Sequence, residues 1–216
     1  MFCSWFTSSD HPMWRAYHDD EWGQPCHDDR LLFEYLVMEC MSCGLSWGLM
    51  MRKREIFRQV FAGFDPARVA RFTDARLGRA LAADGMIKSR RKLEGMRGNA
   101  RCYLEVQREF GSFDAYLWGF TAGRTVVYRE NLAGGMATRS ALSDLVAADM
   151  RRRGFRFFGT VLAYSYLQGV GVICDHDPDC PAGRRALRAA NVLLCSLEDP
   201  PPPPPRSLPR LPPPPV

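Results

Sequence analysis

The chain has 216 residues, of which 46% are hydrophobic and 25% are charged, a composition that allows a sizeable globular core. No apolar run reaches the roughly 18 residues that span a bilayer, and no basic leader precedes an apolar stretch near Met1. We therefore expect no membrane partner and a cytoplasmic location, at the nucleoid if the protein works on DNA. The formal net charge of +5 is too small to indicate DNA binding by charge alone.

Helical periodicity dominates most of the chain. Capping residues followed by apolar residues three to four apart predict a series of helices. These helices are predicted to begin near residues 28, 46, 65, 73, 88, 112, 143 and 159. The best strand pattern covers residues 125–128. The sequence therefore predicts an all-α fold.

The C-terminal part differs in composition. Of the 16 prolines, 11 lie from Pro200 onward, and proline runs favour extended polyproline II rather than a packed core. Residues 182–216 also carry five basic and two acidic side chains, which account for +3 of the net charge. We predict a folded domain over residues 1–183 and a low-complexity, disordered Pro-rich tail over residues 184–216, whose partner is unknown. We expect a monomer.

A tight turn at Gly85 joins two predicted helices, and the second opens with Lys88 and Arg90. Backbone N–H groups at a helix start bind phosphate, and nearby cations strengthen that binding. One interpretation is a helix–hairpin–helix that holds a DNA backbone without reading its sequence. The other is an αα-hairpin with a solvated basic face. The segment alone leaves both open.

Several cysteines and histidines are spaced as metal ligands. His176-x-x-x-Cys180 is a plausible half of a zinc site, because two borderline or soft ligands can reach one ion from a short loop. Candidates for the other ligands are Cys3 with His18, the adjacent Cys26 and His27, and Cys174. The alternative is a set of buried thiols and surface imidazoles without metal.

Cys40-x-x-Cys43 has the spacing of a thiol–redox pair. It lies toward the end of a predicted helix rather than at the start of one, so the helix N-terminus is not available to activate a thiol. Two thiols facing the core are therefore the better interpretation.

Two dense blocks carry the most specific signal. They are YHDDEWG at residues 17–23 and GLSW at residues 44–47, with Glu39 between them. Here the chain resembles the 3-methyladenine DNA glycosylase I family. Further matches run in order over about residues 3–180: Cys3-x-Trp5, Leu32-Phe33-Glu34, Lys53-Arg54-Glu55, Phe64-Asp65-Pro66, Lys92, Asn99-Ala100-Arg101, residues 153–157, Gly159-Thr160, Tyr164-Ser165 and Asp175-His176.

The resemblance implies an all-helical base-excision repair enzyme of the helix–hairpin–helix glycosylase superfamily. It would flip 3-methyladenine out of damaged double-stranded DNA and hydrolyse its N-glycosidic bond without forming a Schiff base. The hairpin interpretation then applies, with Gly85, Lys88 and Arg90 at the DNA backbone.

The resemblance also assigns site residues by position. One structural zinc ion would be bound by the residues that match the family's four ligands, Cys3, His18, His176 and Cys180. The position of the family's pocket glutamate is Glu39, which we expect to be catalytic. Its base-binding aromatics match Tyr17 and Trp47, with Trp5 close by. We expect Tyr17 and Trp47 to sandwich a cationic purine.

Some positions depart from the family pattern. Ser42-Cys43 replaces a Gln-Ala pair before GLSW, and Ala147-Ala148 replaces Ser-Lys. These changes leave the predicted fold intact but bear on substrate preference and rate. The main alternative is a non-catalytic, zinc-stapled helix–hairpin–helix protein that binds DNA, and a purely structural zinc protein is the weaker one.

Overall fold

A computed structural model of the chain describes Cys3, residues 12–135 and residues 137–200. Most of these residues are helical. The helices are α1 Pro12–Ala16, α2 Asp29–Ser42, α3 Trp47–Val60, α4 Pro66–Ala70, α5 Asp74–Ala82, α6 Arg90–Phe110, α7 Phe113–Gly119, α8 Arg129–Leu132, α9 Ala141–Arg152, α10 Thr160–Gly169 and α11 Pro181–Ala189. A π-helical turn over Tyr17–Glu21 continues α1, and a 3-10 turn over Ala62–Phe64 follows α3.

The predicted capping side chains set most of the helix starts. Asp28 accepts a hydrogen bond from the first turn of α2, and Ser46, Thr73 and Ser112 do the same for α3, α5 and α7. Helix α9 begins earlier than expected, because Ser140 rather than a later residue closes a capping box at its start.

Helices α2 and α10 form the centre of the core. Residues 32–41 of α2 are all buried, and the helix packs against α3, α6, α7 and α10. A helix that is apolar on every side is stable only when other elements surround it. Any polar side chain that α2 carries is therefore brought into the interior. Nowhere in the described ranges is a helix both long and apolar enough to cross a membrane.

A short parallel sheet joins distant parts of the chain. Strand β1 (Thr125–Tyr128) was predicted, and it pairs with β2 (Val192–Cys195), with Thr125 opposite Val192. The all-α prediction is thus right in that the fold is predominantly helical and wrong in omitting this sheet. The second strand has little local signal, because its pairing depends on a partner far away in sequence.

The predicted domain boundary at residue 183 is wrong. It falls inside α11, and β2 follows that helix. Leu197 then packs on the core, and its carbonyl accepts a hydrogen bond from the Ala141 N–H. The proline-rich composition begins only at Pro200, after these elements, so it did not require a boundary at residue 183. Residues 201–216, which hold most of the prolines, lie outside the described ranges.

The turn between α5 and α6 is confirmed as a tight connection. Gly85 has φ of +68°, and a Cβ there would lie 2.7 Å from Ile56 Cδ1, so glycine is required on both counts. The Lys88 ammonium donates to the carbonyls of Leu81 and Ala83, 2.9 and 2.7 Å away. Lys88 therefore closes the C-terminal end of α5.

We predict that a chain ending at residue 183 is less stable than one ending at residue 200. The shorter chain loses β2 and most of α11, including Ala186, which is fully buried. We expect its melting temperature to fall by about 4–8 °C, which corresponds to a loss of about 2 kcal/mol in a chain of this size. Circular dichroism melts of the two truncations and the full chain provide the measurement. Equal melting temperatures would show that residues 184–200 add no stability.

Candidate functional site

A cavity of about 730 Å³ opens beside the C-terminal end of α2 and the start of α3. Tyr17, Trp22 and Trp47 supply an aromatic wall. The charged lining is acidic, comprising Glu39, Asp175, Asp177 and Asp179. Neither lysine nor arginine is found among the described residues that line it. The cavity therefore favours a flat, positively charged ligand.

Glu39 lies one turn before the end of α2 and is only 5% exposed. Within the described part of the chain, its carboxylate has no hydrogen-bond or ion-pair partner. Burial alone raises the pKa of Glu39 to about 8. The group is thus largely neutral in the empty cavity at neutral pH, and a cation placed beside it would favour the ionised form.

The two predicted aromatics contact each other. Their ring centroids, Tyr17 to Trp47, are 5.7 Å apart with an interplanar angle of 47°, and Trp14 meets Tyr17 edge-on. A flat ring between them would need two stacking contacts of about 3.5 Å, hence a separation of about 7 Å. In this arrangement the rings contact each other, so a base would lie between them only after they separate, and the sandwich stays a prediction. Trp5 lies outside the described residues.

An ion-pair network holds the turn that carries Tyr17. Arg54 on α3 donates to Glu21 of the π-helical turn at 2.7 Å and to Glu34 of α2 at 2.5 Å. Tyr35 donates its hydroxyl hydrogen to the same Glu21 carboxylate. One guanidinium thus fixes the π-helical turn relative to both helices that flank the cavity.

Unpaired polar atoms converge on the cavity. Within the described ranges, three buried side-chain polar atoms lack a hydrogen-bond partner: Trp47 Nε1, Asn131 Oδ1 and Asp175 Oδ1. All three residues line this cavity. Because native proteins leave few buried polar atoms unpaired, their convergence indicates a place prepared for a ligand that both accepts and donates hydrogen bonds.

A lysine and two thiols hold the C-terminal end of α2 in place. Lys92 Nζ donates to the carbonyls of Met41 and Cys43, 2.8 and 2.7 Å away. The Cys40 and Cys43 thiols lie 3.7 and 3.6 Å from the carbonyls of Arg156 and Phe157. Burial raises the pKa of both thiols, which argues against a redox pair and favours the prediction of core-facing thiols.

A second cluster lies at the far end of the acidic lining. The sulfur and nitrogen atoms of Cys3, His18, His176 and Cys180 all lie within 4.8 Å of one another, and all four residues are buried. Cys3 Sγ is 3.2 Å from His176 Nδ1, and Cys180 Sγ is 3.7 Å from His18 Nε2. A tetrahedral ion with bonds of about 2.0–2.3 Å separates its ligand atoms by about 3.3–3.8 Å. The geometry fits one metal ion.

The remaining ring nitrogens are already engaged. His18 Nδ1 lies 2.7 Å from Asp19 Oδ1, and His176 Nε2 lies 2.8 Å from the Trp22 carbonyl. These contacts direct the other nitrogen of each ring at the cluster, as outer contacts of metal ligands do. Burial lowers the pKa of His176 to about 4, so the ring is neutral, which is the form that binds metal.

Two glycines leave room for His176. A Cβ at Gly183 would lie 2.4 Å from the His176 Cβ, and a Cβ at Gly23 would lie 2.9 Å from its Cδ2. Gly23 also has φ of +73°. The cluster therefore depends on the close approach of both the YHDDEWG block and α11 to His176.

The Methyladenine glycosylase family model matches residues 5–183, most of the chain. The chain belongs to this family. It is 35% identical over 178 residues to DNA-3-methyladenine glycosylase 1 of Escherichia coli (strain K12), covering 82% of this chain and 94% of that protein. It is 32% identical over 179 residues to DNA-3-methyladenine glycosylase of Haemophilus influenzae, covering 83% of this chain and 96% of that protein.

Solved structures agree with the family's fold. The structure of 3-methyladenine DNA glycosylase I from Staphylococcus aureus, which addresses the structural basis of 3-methyladenine recognition, superposes with a TM-score of 0.79. The two sequences are 30% identical, and the match covers 84% of this chain and 95% of that chain.

The structure groups the predicted site residues into three places. Tyr17, Glu39 and Trp47 share the cavity, and Lys88 and Arg90 lie at the hairpin. The third place is the buried cluster of Cys3, His18, His176 and Cys180. Arg90 is exposed and forms ion pairs with acidic side chains of α5 and α6. The sequence assigned no role to the polar cavity residues Asn131, Tyr164, Gln168 and Asp175. Tyr164 and Asp175 lie in segments that carry the family resemblance, whereas Asn131 has no local signal.

We predict that Glu39→Gln stabilises the folded protein at alkaline pH. Because burial raises the pKa of Glu39 from 4.5 to about 8, the folded state binds this proton more tightly than the unfolded state does. The stability that the protonated form provides is present below about pH 4.5 and is lost as the pH rises toward 8. Urea unfolding at pH 5 and pH 8.5 measures it. The variant should lack the wild-type fall of about 2–5 kcal/mol, and an equal fall in both proteins would contradict this burial.

We predict that Cys180→Ala loses the bound metal and unfolds at a lower temperature. Removing one of four ligands would weaken the binding of an ion that joins Cys3 to the segment around His176, and metal binding contributes directly to folding free energy. Mass spectrometry for metal content and a thermal melt give the two readouts. Cys102→Ser, outside the cluster, is the matched control and should keep one ion per chain. Full metal content in Cys180→Ala would overturn the ligand assignment.

Proposed function

We propose that this chain is a DNA-3-methyladenine glycosylase I, a monofunctional hydrolase that excises 3-methyladenine from alkylated double-stranded DNA. The names of its relatives support this substrate. The observation that carries it in this chain is the cavity itself, which joins an aromatic wall to four carboxylates and has no basic side chain among its described lining residues. Such a lining selects a flat cation from the otherwise anionic DNA.

The chemistry of the lesion matches this environment. Methylation at N3 gives the adenine of the nucleotide a positive charge, so the base leaves C1′ as a neutral molecule. Glu39 can offset the positive charge and accept a hydrogen bond from the adenine edge. Stacking on Tyr17 or Trp47 adds a cation–π attraction of about 0.5–2 kcal/mol that the unmodified base lacks. Recognition and catalysis then depend on the same charge.

The target base reaches the cavity by base flipping. Extrusion costs a few kcal/mol, less for a damaged base, because its pairing in the duplex is already weakened. Water then forms a bond to C1′ as the C1′–N bond breaks, the electron pair stays with the departing base, and the water's proton passes to solvent. The described lining residues include no lysine that could form a Schiff base, which supports a monofunctional reaction.

The hairpin and the metal cluster supply the scaffold. We propose that Gly85 lets the turn between α5 and α6 approach a phosphate, with Lys88 and Arg90 beside the DNA backbone as a helix–hairpin–helix. Both basic side chains are exposed, as this role requires. The two sulfurs and two nitrogens of the cluster suit Zn²⁺, which would have a structural role because four protein ligands leave no open position. The protein would act as a monomer where chromosomal DNA is accessible.

We expect wild-type protein to release free 3-methyladenine from methylated duplex DNA, and Glu39→Gln to do so at least about a hundredfold more slowly. The amide keeps the shape of the side chain but cannot offset the positive charge, and loss of one such electrostatic contact costs about 10²–10³ in rate. Chromatography of the released bases under single-turnover conditions measures the rates.

Two controls keep this experiment decisive. Leu45→Ala alters an exposed cavity-lining side chain without changing charge, so it separates shape from electrostatics. Metal content and a melting curve show that each protein is folded. If folded, metal-loaded wild type releases no base yet still binds duplex DNA, the non-catalytic DNA-binding alternative replaces this proposal.

A further inference from the structure

A second polar group lines the cavity beyond the residues assigned above. Asp175 Oδ2 accepts hydrogen bonds from the Tyr164 hydroxyl and from Gln168 Nε2, both at 2.7 Å. Asn131 Nδ2 donates to the same Tyr164 hydroxyl oxygen at 3.0 Å. Asp175 Oδ1 and Asn131 Oδ1 are buried and have no partner within the described part of the chain.

This network fixes which way the Asn131 amide faces. A tyrosine hydroxyl has one hydrogen, and Tyr164 gives it to Asp175. The hydroxyl oxygen can therefore only accept, so Asn131 must present its NH₂ group to Tyr164 and keep its oxygen for something else. Two acceptor oxygens are left on this side of the cavity, together with the second N–H of the Asn131 amide and that of Gln168.

The two unpaired oxygens require a particular kind of ligand group. Two buried acceptors need N–H or O–H donors, and each costs free energy while it is unpaired. A purine with an exocyclic amino group carries two N–H donors on one atom, and a positive charge on the ring strengthens both. Glu39 and Trp47 are contributed by α2 and α3, whereas Asn131 is on α8 and Asp175 follows α10. The cavity thus holds two separately built sets of polar contacts.

We propose that Asn131 and Asp175 form an amine-reading subsite that accepts hydrogen bonds from the exocyclic amino group of the flipped base. This inference rests on the proposed glycosylase function and deepens it. The subsite favours N-alkylated aminopurines over alkylated purines that lack the amine. Asn131 lies outside the motifs that carry the family resemblance.

The test compares two ligands with and without one side chain. The dissociation constants of the free bases 3-methyladenine and 3-methylpurine, which lacks the amine, are measured by calorimetry for wild type and Asn131→Leu. We expect the preference for the amine-bearing base to fall about fivefold in the variant, the factor that one hydrogen bond contributes. Asn131→Ser, which shortens the side chain without adding apolar bulk, should show the same fall.

Leu132→Ala is the matched control from the same wall of the cavity. Its loss of apolar contact should weaken both bases by a similar factor and leave their ratio unchanged, because it removes no polar atom. If the Asn131 variants also weaken both bases equally, the two oxygens hold a structural water and the subsite is wrong. If wild type neither binds 3-methyladenine in calorimetry nor releases it from methylated DNA, the proposed function is wrong, and the subsite is rejected with it.

Discussion

Helix α2 is buried on every side, and it carries an unpaired carboxylate into the interior with it. Glu39 follows a run of apolar residues that must pack against α3, α6 and α10, so its position is not open to relaxation toward solvent. Burial without a partner raises its pKa to about 8, which is a cost in folding stability at neutral and alkaline pH. Proteins tolerate such a conflict between burial and charge chiefly at functional sites.

The other cavity features follow from where α2 ends. Lys92 binds the last carbonyls of that helix, which directs the chain into the loop before Trp47. The Arg54 ion pairs then fix the turn that carries Tyr17 against the same two helices. Aromatic rings and an uncompensated carboxylate are thereby held in one place by contacts that lie outside the cavity. This rigidity lets the site recognise charge without rearranging to do so.

The distribution of charge explains how a weakly basic protein can act on DNA. A net charge of +5 gives little general attraction to a polyanion, and part of it lies in the C-terminal segment. The cavity is acidic, whereas the exposed start of α6 is basic. Phosphates would be repelled from the cavity and attracted to the start of α6. The acidic cavity therefore favours entry of a neutral or cationic base. The buried cluster of Cys3, His18, His176 and Cys180 adds to this arrangement by bringing Cys3 against the segment around His176 and Cys180.

Local signals in the sequence were sufficient to predict many of the helices. Asp28, Ser46, Thr73 and Ser112 mark helix starts because capping depends on residues three or four positions apart. The family resemblance placed Glu39, Tyr17 and Trp47 in one pocket, because the blocks around them are distinctive. By itself the sequence therefore determined the predominantly helical class, most helix positions and the main candidate residues.

Tertiary structure decided what depends on contacts between distant residues. Strand β2 forms only because β1 is available beside it, and the packed region continues past residue 183 for the same reason. The contact between the Tyr17 and Trp47 rings depends on how the π-helical turn packs against α3. Asn131 presents its NH₂ group to the Tyr164 hydroxyl because Tyr164 gives its own hydrogen to Asp175. No periodicity encodes such arrangements, because each depends on how elements far apart in sequence are placed relative to one another.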